Sequence, residues 1–161
     1  MSSTPTLAPV VFLESPYSGH IDRNVRYLLL CGLDSYQRGE MPTSSHGTMT
    51  MHPTKRDFFV PDDKPKWDVF TRKGGIDRAQ SLRHICSKVV FYIDMGLSPG
   101  MRAGLKYCKT HNIPVEIRKL DVDLVVSIGA KRITKELILD ILGNKDYTRH
   151  FKGTPLLPPS S

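Results

Sequence analysis

The sequence lacks any apolar run near the roughly 18 residues of a membrane-spanning helix, which argues against a helical membrane protein. Its N-terminus, MSSTPTLAPVVFLE, has no basic region followed by a long apolar segment, so it does not read as a secretory signal. Cysteine is scarce: Cys31, Cys86 and Cys108 are odd in number and widely spaced, which fits neither a disulfide framework nor a metal-ligand set. A reducing, cytoplasmic setting is the expectation. There is no Lys/Arg block, and aromatics are not interleaved with basic residues as in single-strand binders, so nucleic acid is an unfavoured partner. No G-x-S-x-G turn supports Ser-His-Asp chemistry. Of the histidines His46, His52 and His84, the first two stand six apart with no Cys partner and no helical i, i+4 pair, so neither metal nor cofactor is expected.

What is present fits one globular domain. The 161 residues are 39% hydrophobic and 24% charged, enough for a single core and too few for two. A net charge of +7 points to an anionic partner, and a phosphate-bearing small molecule suits it as well as nucleic acid does.

The hydrophobic pattern alternates between strand-like and helix-like segments. VVFLE (10–14) reads as a buried strand that runs into a loop at Ser15, Pro16 and Gly19. Val25, Leu28, Leu29, Leu33 and Tyr36 then fall at helical spacing, with Asp22 as candidate N-cap and Gly39 as the stop. Residues 40–75 are rich in Pro, Gly, Ser, Thr and charge, and read as one long functional loop. Ile76 to His84 is helical in pattern, and KVVFYID (88–94) is the strongest strand. After it come a helix carrying Met101, Leu105 and Cys108, a strand in NIPVEIR (112–118), and a further strand in VDLVVSI (122–128). A helical stripe of Ile133, Leu137, Ile138, Ile141 and Leu142 completes the pattern. The expected organisation is a flexible segment 1–9, one α/β domain over 10–143, and a Pro-rich tail over 144–161. Short strand–helix–strand crossovers imply parallel strands, hence a Rossmann-like three-layer α/β sandwich with a mostly parallel sheet.

Ligands of such sheets bind where strands run into helices at their carboxyl ends. Two segments qualify, ESPYSGHIDRN (14–24) and DMGLSPGMR (94–102). In the second, Ser98 suits an N-cap and Pro99 the first helical position, which leaves the Gly100 and Met101 amides to meet an anion at the positive end of the helix. The competing reading is that the Ser98 hydroxyl caps those amides itself. In the first segment, Ser18 and Gly19, followed by Arg23, form a second candidate donor set. Asp94 and Glu14 stand at the ends of their strands and, if those strands are neighbours, reach one crevice as a pair for acid–base work. The competing role for each is to bind a loop amide or an arginine. Tyr17 is a candidate substrate contact or a packing residue.

Several of these stretches resemble the nucleoside 2-deoxyribosyltransferase-like superfamily, in particular an often phage-encoded branch. Its G-E-x-P-x-x-S-H, Y-x-D-x-G-x-S-x-G-M and P-x-E-x-R segments are matched by GEMPTSSH (39–46), YIDMGLSPGM (92–101) and PVEIR (114–118). The resemblance covers roughly residues 10–120. It implies a protein, usually dimeric or larger, that binds a nucleoside or nucleotide and cleaves or transfers its N-glycosidic bond. By the same likeness Ser15, Tyr17, Ser18, Gly19, Ser98 and Gly100 would hold sugar and phosphate, with His46 as a polar contact. One departure stands out. The family's attacking glutamate follows the glycine turn, and here Arg102 takes that place, followed by Ala103 and Gly104. The expectation is that Asp94 or Glu14 does the chemistry; the alternatives are that the protein binds a nucleotide without turnover, or that the chemistry is different, with Arg102 clamping a phosphate.

Overall fold

The computed structural model describes residues 6–17, 19–45 and 72–143. In chain order they form β1 (Val10–Glu14), α1 (Ile21–Gln37), β2 (Met41–Thr43), α2 (Arg72–Ile85), β3 (Lys88–Tyr92), α3 (Pro99–Thr110), β4 (Val115–Arg118), α4 (Val122–Val126) and α5 (Lys135–Gly143). The four strands make one sheet in the order β2-β1-β3-β4, and every pairing is parallel.

Alternation along β1 and β3 builds the two cores, because successive side chains point to opposite faces. Val11, Leu13, Val90 and Tyr92 face α1, α4 and α5, where they pack with Tyr27, Leu30, Cys31, Val125, Ile138 and Ile141. Phe12, Val89 and Phe91 face α2 and α3, where they meet Ala79, Met101 and Cys108. Helices on both faces of a parallel sheet give the three-layer, Rossmann-like architecture expected from the sequence. Strand β3 lies between β1 and β4 and is covered on both sides, which explains its unbroken apolar run. Among the described residues no helix is long and apolar enough to cross a membrane.

Four local expectations need correction. Residues 122–128 are not a strand: α4 begins there, because the Asp121 side chain accepts the Leu124 amide at 3.0 Å and caps a helical turn. A short apolar run does not by itself separate buried strand from buried helix, and the cap decides it. Residues 40–75 are not loop throughout, since Met41–Thr43 adds β2 to the sheet edge and α2 starts at Arg72. Pro42 within so short a segment hides the strand from any alternation test, and an edge is where a strand tolerates proline. Helix α1 starts at Ile21 behind His20, so Asp22 lies inside the first turn and not at the cap. Its buried face also differs: Leu29 and Tyr36 are exposed, while Asn24, Tyr27, Cys31, Asp34 and Ser35 are buried. Asp34 and Ser35 occupy that face because they meet a buried charge network described below, and Asn24 because it ties the loop after β1 to the helix. Gly39, with φ at 80°, does end the helix as expected. The N-terminal and C-terminal expectations at 1–5 and 144–161, and the segment 46–71, lie outside the described residues.

Candidate functional site

Chain order and sheet order together locate one distinctive place in the fold. From β1 the chain passes through α1 to β2 on one side, then returns to β3 on the other side of β1. The direction of winding therefore switches between β1 and β3, and the crevice outside the carboxyl ends of those two strands is where such sheets bind ligands. The β1–α1 and β3–α3 loops, both singled out in the sequence, border it.

Ser15 follows directly on Glu14, whose register partner is Phe91 on β3. It is 2% exposed, and its Oγ has no hydrogen-bond partner among the described residues. A buried hydroxyl left unpaired costs about 1–3 kcal/mol, so an orphan at this position calls for an explanation. Tyr17 is half-buried, and its carbonyl accepts Nδ2 of Asn24 at 2.8 Å, which ties the loop to the first turn of α1. Gly19 adopts φ of 98°, a conformation a side chain would strain. Ser18 and His46 lie outside the described residues. Arg23 is directed elsewhere: its Nη2 donates to the carbonyl of Ile141 in the last turn of α5.

At the start of α3, Ser98 is the N-cap and its Oγ accepts the Met101 amide at 3.2 Å. The Arg102 amide bonds the Ser98 carbonyl at 2.9 Å. Of the two amides expected to be free, only that of Gly100 remains available at the helix start. Met101 is 1% exposed and its side chain belongs to the α2–α3 core. Gly100 and Arg102 are both exposed. A Cβ at Gly100 would meet nothing closer than Ser98 Oγ at 3.9 Å, so the protein itself gives no packing reason for glycine there.

The two carboxylates are not brought together. Glu14 points to the α2–α3 side, where Arg83 of α2 donates to its Oε1 through both Nε (3.0 Å) and Nη2. Gln80 accepts the remaining arm of Arg83 at 2.6 Å. Gly104 of α3 packs directly against this pair: a Cβ there would lie 3.1 Å from Glu14 Oε1 and 3.2 Å from Arg83 Nη2. Burial pushes the Glu14 carboxyl up, and the Arg83 charge pulls it back only in part. Asp94 turns to the α1 side and the end of β4. It accepts the Tyr27 hydroxyl at 2.5 Å and the Leu120 amide at 3.1 Å from each oxygen. Each carboxylate thus holds the arginine or loop-amide contact that stood as its competing role, although Asp94 stays partly exposed. His84, the third histidine weighed for a metal, shares a 2.8 Å hydrogen bond with the Tyr107 hydroxyl.

Sequence reasoning missed a larger charged assembly between α1 and the sheet. Arg118 on β4 donates to Glu40 through Nη1 and Nη2 at 2.9 and 3.1 Å, and to the Tyr92 hydroxyl at 3.2 Å. Tyr92 in turn donates to Asp34 at 2.5 Å, and Ser35 donates to Glu40 at 2.5 Å. Lys88 bridges Glu40 and Glu116 at 2.8 and 2.5 Å, while Arg38 closes on Asp34 at 2.9 Å. Three carboxylates therefore face three cations. Burial raises the Glu40 carboxyl, but hydrogen bonds from Arg118, Lys88 and Ser35 outweigh it and hold the group at about 2. Burial and the bond to Asp34 push the Tyr92 phenol well above its usual value. The signal was present in the sequence: Glu40, Tyr92, Glu116 and Arg118 belong to the same three segments that carried the family likeness, and they meet here.

The fold and the switch-point crevice define a doubly wound α/β protein of the Rossmann-like class. Residues 9–118 match the model of a family described as Domain of unknown function (DUF7768), and the chain belongs to that family. No curated protein and no solved structure matches the chain.

Proposed function

We propose that the chain is a nucleotide-binding protein whose ligand sits in the crevice between the ends of β1 and β3. The observation that carries this reading is the buried Ser15 hydroxyl at the topological switch point, without a partner among the described residues and beside the loop that leads to the open start of α3. A ligand hydroxyl or phosphate oxygen would satisfy Ser15. The Gly100 amide and the exposed Arg102 guanidinium would take a phosphate, with the positive end of α3 adding to the field. Tyr17 and Gly19 would border the sugar. The nucleoside portion of the ligand rests on the likeness of these loops to the deoxyribosyltransferase-like superfamily, and the positive net charge agrees with an anionic ligand.

N-glycosidic cleavage or transfer is the second reading, favoured by one observation: Asp94 follows β3 at the same end of the sheet and keeps partial exposure. In that reading Asp94, positioned by Tyr27, stabilises positive charge on the sugar or activates water. Glu14 is less suited to it, because it is buried against Arg83.

The test is to incubate the protein with ribo- and deoxyribonucleoside 5′-monophosphates, measure binding by calorimetry, and look for free base by chromatography. Binding with intact ligand supports the first reading. Base release that Asp94→Asn abolishes supports the second. Absence of both binding and turnover across the panel contradicts both.

A further inference from the structure

The helices on the two faces of the sheet carry their exposed charges differently. On α4 and α5 the signs are mixed: Asp123, Lys135, Glu136 and Asp140 are all exposed, and Lys135 is bridged to Asp123 at 3.5 Å. Helix α3 contains no acidic residue. Its Arg102, Lys106 and Lys109 are all exposed. They stand at i, i+4 and i+7, within about 60° of the helix circumference and about 10 Å of its length. None of the three takes part in an ion pair among the described residues. The arrangement costs the helix stability, because like charges three and four residues apart repel and a cation in the first turn opposes the helix dipole. Nothing among the described residues offsets that cost.

At the far end of this basic strip stands a cluster of rings drawn from two helices. His111, exposed after the last turn of α3, stacks on Tyr107 with centroids 4.0 Å apart and 23° between the planes. Its Nδ1 shares a 2.9 Å hydrogen bond with the Tyr107 carbonyl, which holds the ring in place. His84 of α2 meets Tyr107 and His111 edge-on, at 5.7 and 5.6 Å. A line of cations for the backbone, leading to rings for the bases, is the combination that single-strand binders use. The order of residues conceals it, since His84 belongs to another helix and the cations align only once α3 has formed.

We propose that the exposed face of α3 binds single-stranded nucleic acid, with phosphates along Arg102, Lys106 and Lys109 and a base stacked on the outer face of His111. The strip begins at Arg102 and is therefore continuous with the crevice, so that a terminal nucleotide held there would lay the next phosphates on the two lysines. That continuity rests on the nucleotide reading, whereas the strip itself does not. A nucleoside triphosphate would engage only the first turn of α3 and leave Lys109 and the rings unused. An anionic membrane fits less well, because α3 exposes no large apolar side chain to bury among lipids.

The test is fluorescence anisotropy of the full chain with a labelled, 5′-phosphorylated single-stranded pentanucleotide over a range of salt, beside calorimetry with a nucleoside 5′-monophosphate. The pentanucleotide should bind roughly tenfold tighter than the monophosphate, or better. Lys106→Gln combined with Lys109→Gln should weaken it roughly tenfold and lower the log–log salt slope by about 1.4, since each phosphate contact on a single strand contributes about 0.7. The monophosphate affinity should stay nearly unchanged. His111→Ala should weaken the pentanucleotide severalfold and leave the salt slope as it was. All three substituted side chains are exposed, and circular dichroism checks that the fold is retained. A pentanucleotide that binds no tighter than the monophosphate, or that ignores the double substitution, overturns the strip and leaves the crevice reading standing. Lysine-dependent binding of the pentanucleotide without any binding of the monophosphate keeps the strip and removes the crevice reading. Equal affinity for a duplex of the same length, or tighter binding to phosphatidylserine vesicles, overturns the choice of a single strand.

Discussion

Beneath α1, buried polar groups are gathered and paired, whereas at the carboxyl end of β1 one of them, the Ser15 hydroxyl, is left without a partner among the described residues. Glu40, 8% exposed, is held by Arg118, Lys88 and Ser35, and Asp34, fully buried, by Tyr92, Arg38 and the Asp121 amide. After the end of β1, Ser15 is as deeply buried and has no partner among the described residues, while Gly100 and Arg102 face solvent. Burial alone therefore does not mark function in this molecule. Charges that are matched donor for acceptor act as architecture, fixing β4 and α1 relative to the sheet. An orphaned group in a crevice is what a ligand would complete. The Glu14–Arg83 pair belongs with the architecture, since Gly104 is shaped around it.

If the contrast is sound, breaking the paired region should cost stability and leave ligand binding to follow the fold. The largest loss is expected for Arg118→Met, which strands Glu40 without its main partner. Removal of one member of a buried ion pair costs about 3–5 kcal/mol, read as a shift in the urea midpoint at constant slope. Acid should act on the same network. The Glu40 carboxyl lies at about 2 in the folded protein against an ordinary 4.5, so its contribution is complete above pH 4.5 and disappears as the pH falls towards 2. Denaturation midpoints measured across that window should drop by a few kcal/mol in free-energy terms, and Glu40→Gln should flatten the dependence. Glu14, raised by burial, works with the opposite sign and gains stability as it takes up its proton. Gly104→Ala comes next: its Cβ must push the packed Glu14–Arg83 pair back by a few tenths of an ångström, at a cost of about 1–3 kcal/mol by thermal or chemical unfolding.

The open region should behave in the reverse manner. Gly100→Ala meets no close neighbour and should change stability by less than about 0.5 kcal/mol. Calorimetry should nevertheless show a weaker grip on a nucleoside monophosphate, because the methyl group stands where the phosphate approaches. Arg102→Glu should weaken the monophosphate by roughly tenfold or more while leaving the parent nucleoside nearly unchanged, and equal losses would contradict the phosphate assignment.

The sequence carried the layer architecture because that depends on pattern: the apolar runs of β1 and β3 and the loop-to-helix punctuation at Pro16, Gly19, Ser98 and Pro99 are local signals. It misplaced α4 and overlooked β2, where a single cap or a proline outweighs hydropathy. Helix α1 shows a deeper limit. Its buried face includes Asp34 and Ser35, and no hydrophobic periodicity anticipates polar residues that go inward to meet Tyr92 and Glu40 from other segments. The candidate site divided along the same line. Loop residues at the ends of strands were legible one by one. That Ser98 caps Met101, that Arg23 reaches the end of α5, and that Glu14 and Asp94 diverge to opposite faces depend on contacts across the fold.

The most direct test of the account is an NMR titration of the isotopically labelled protein with a nucleoside 5′-monophosphate, following backbone amides. Shifts should concentrate at Ser15, Tyr17 and Gly19 and at Gly100 to Arg102, with those of Glu40, Glu116 and Arg118 nearly unmoved. Shifts centred on the α1 network, or none at either loop up to millimolar ligand, would contradict it.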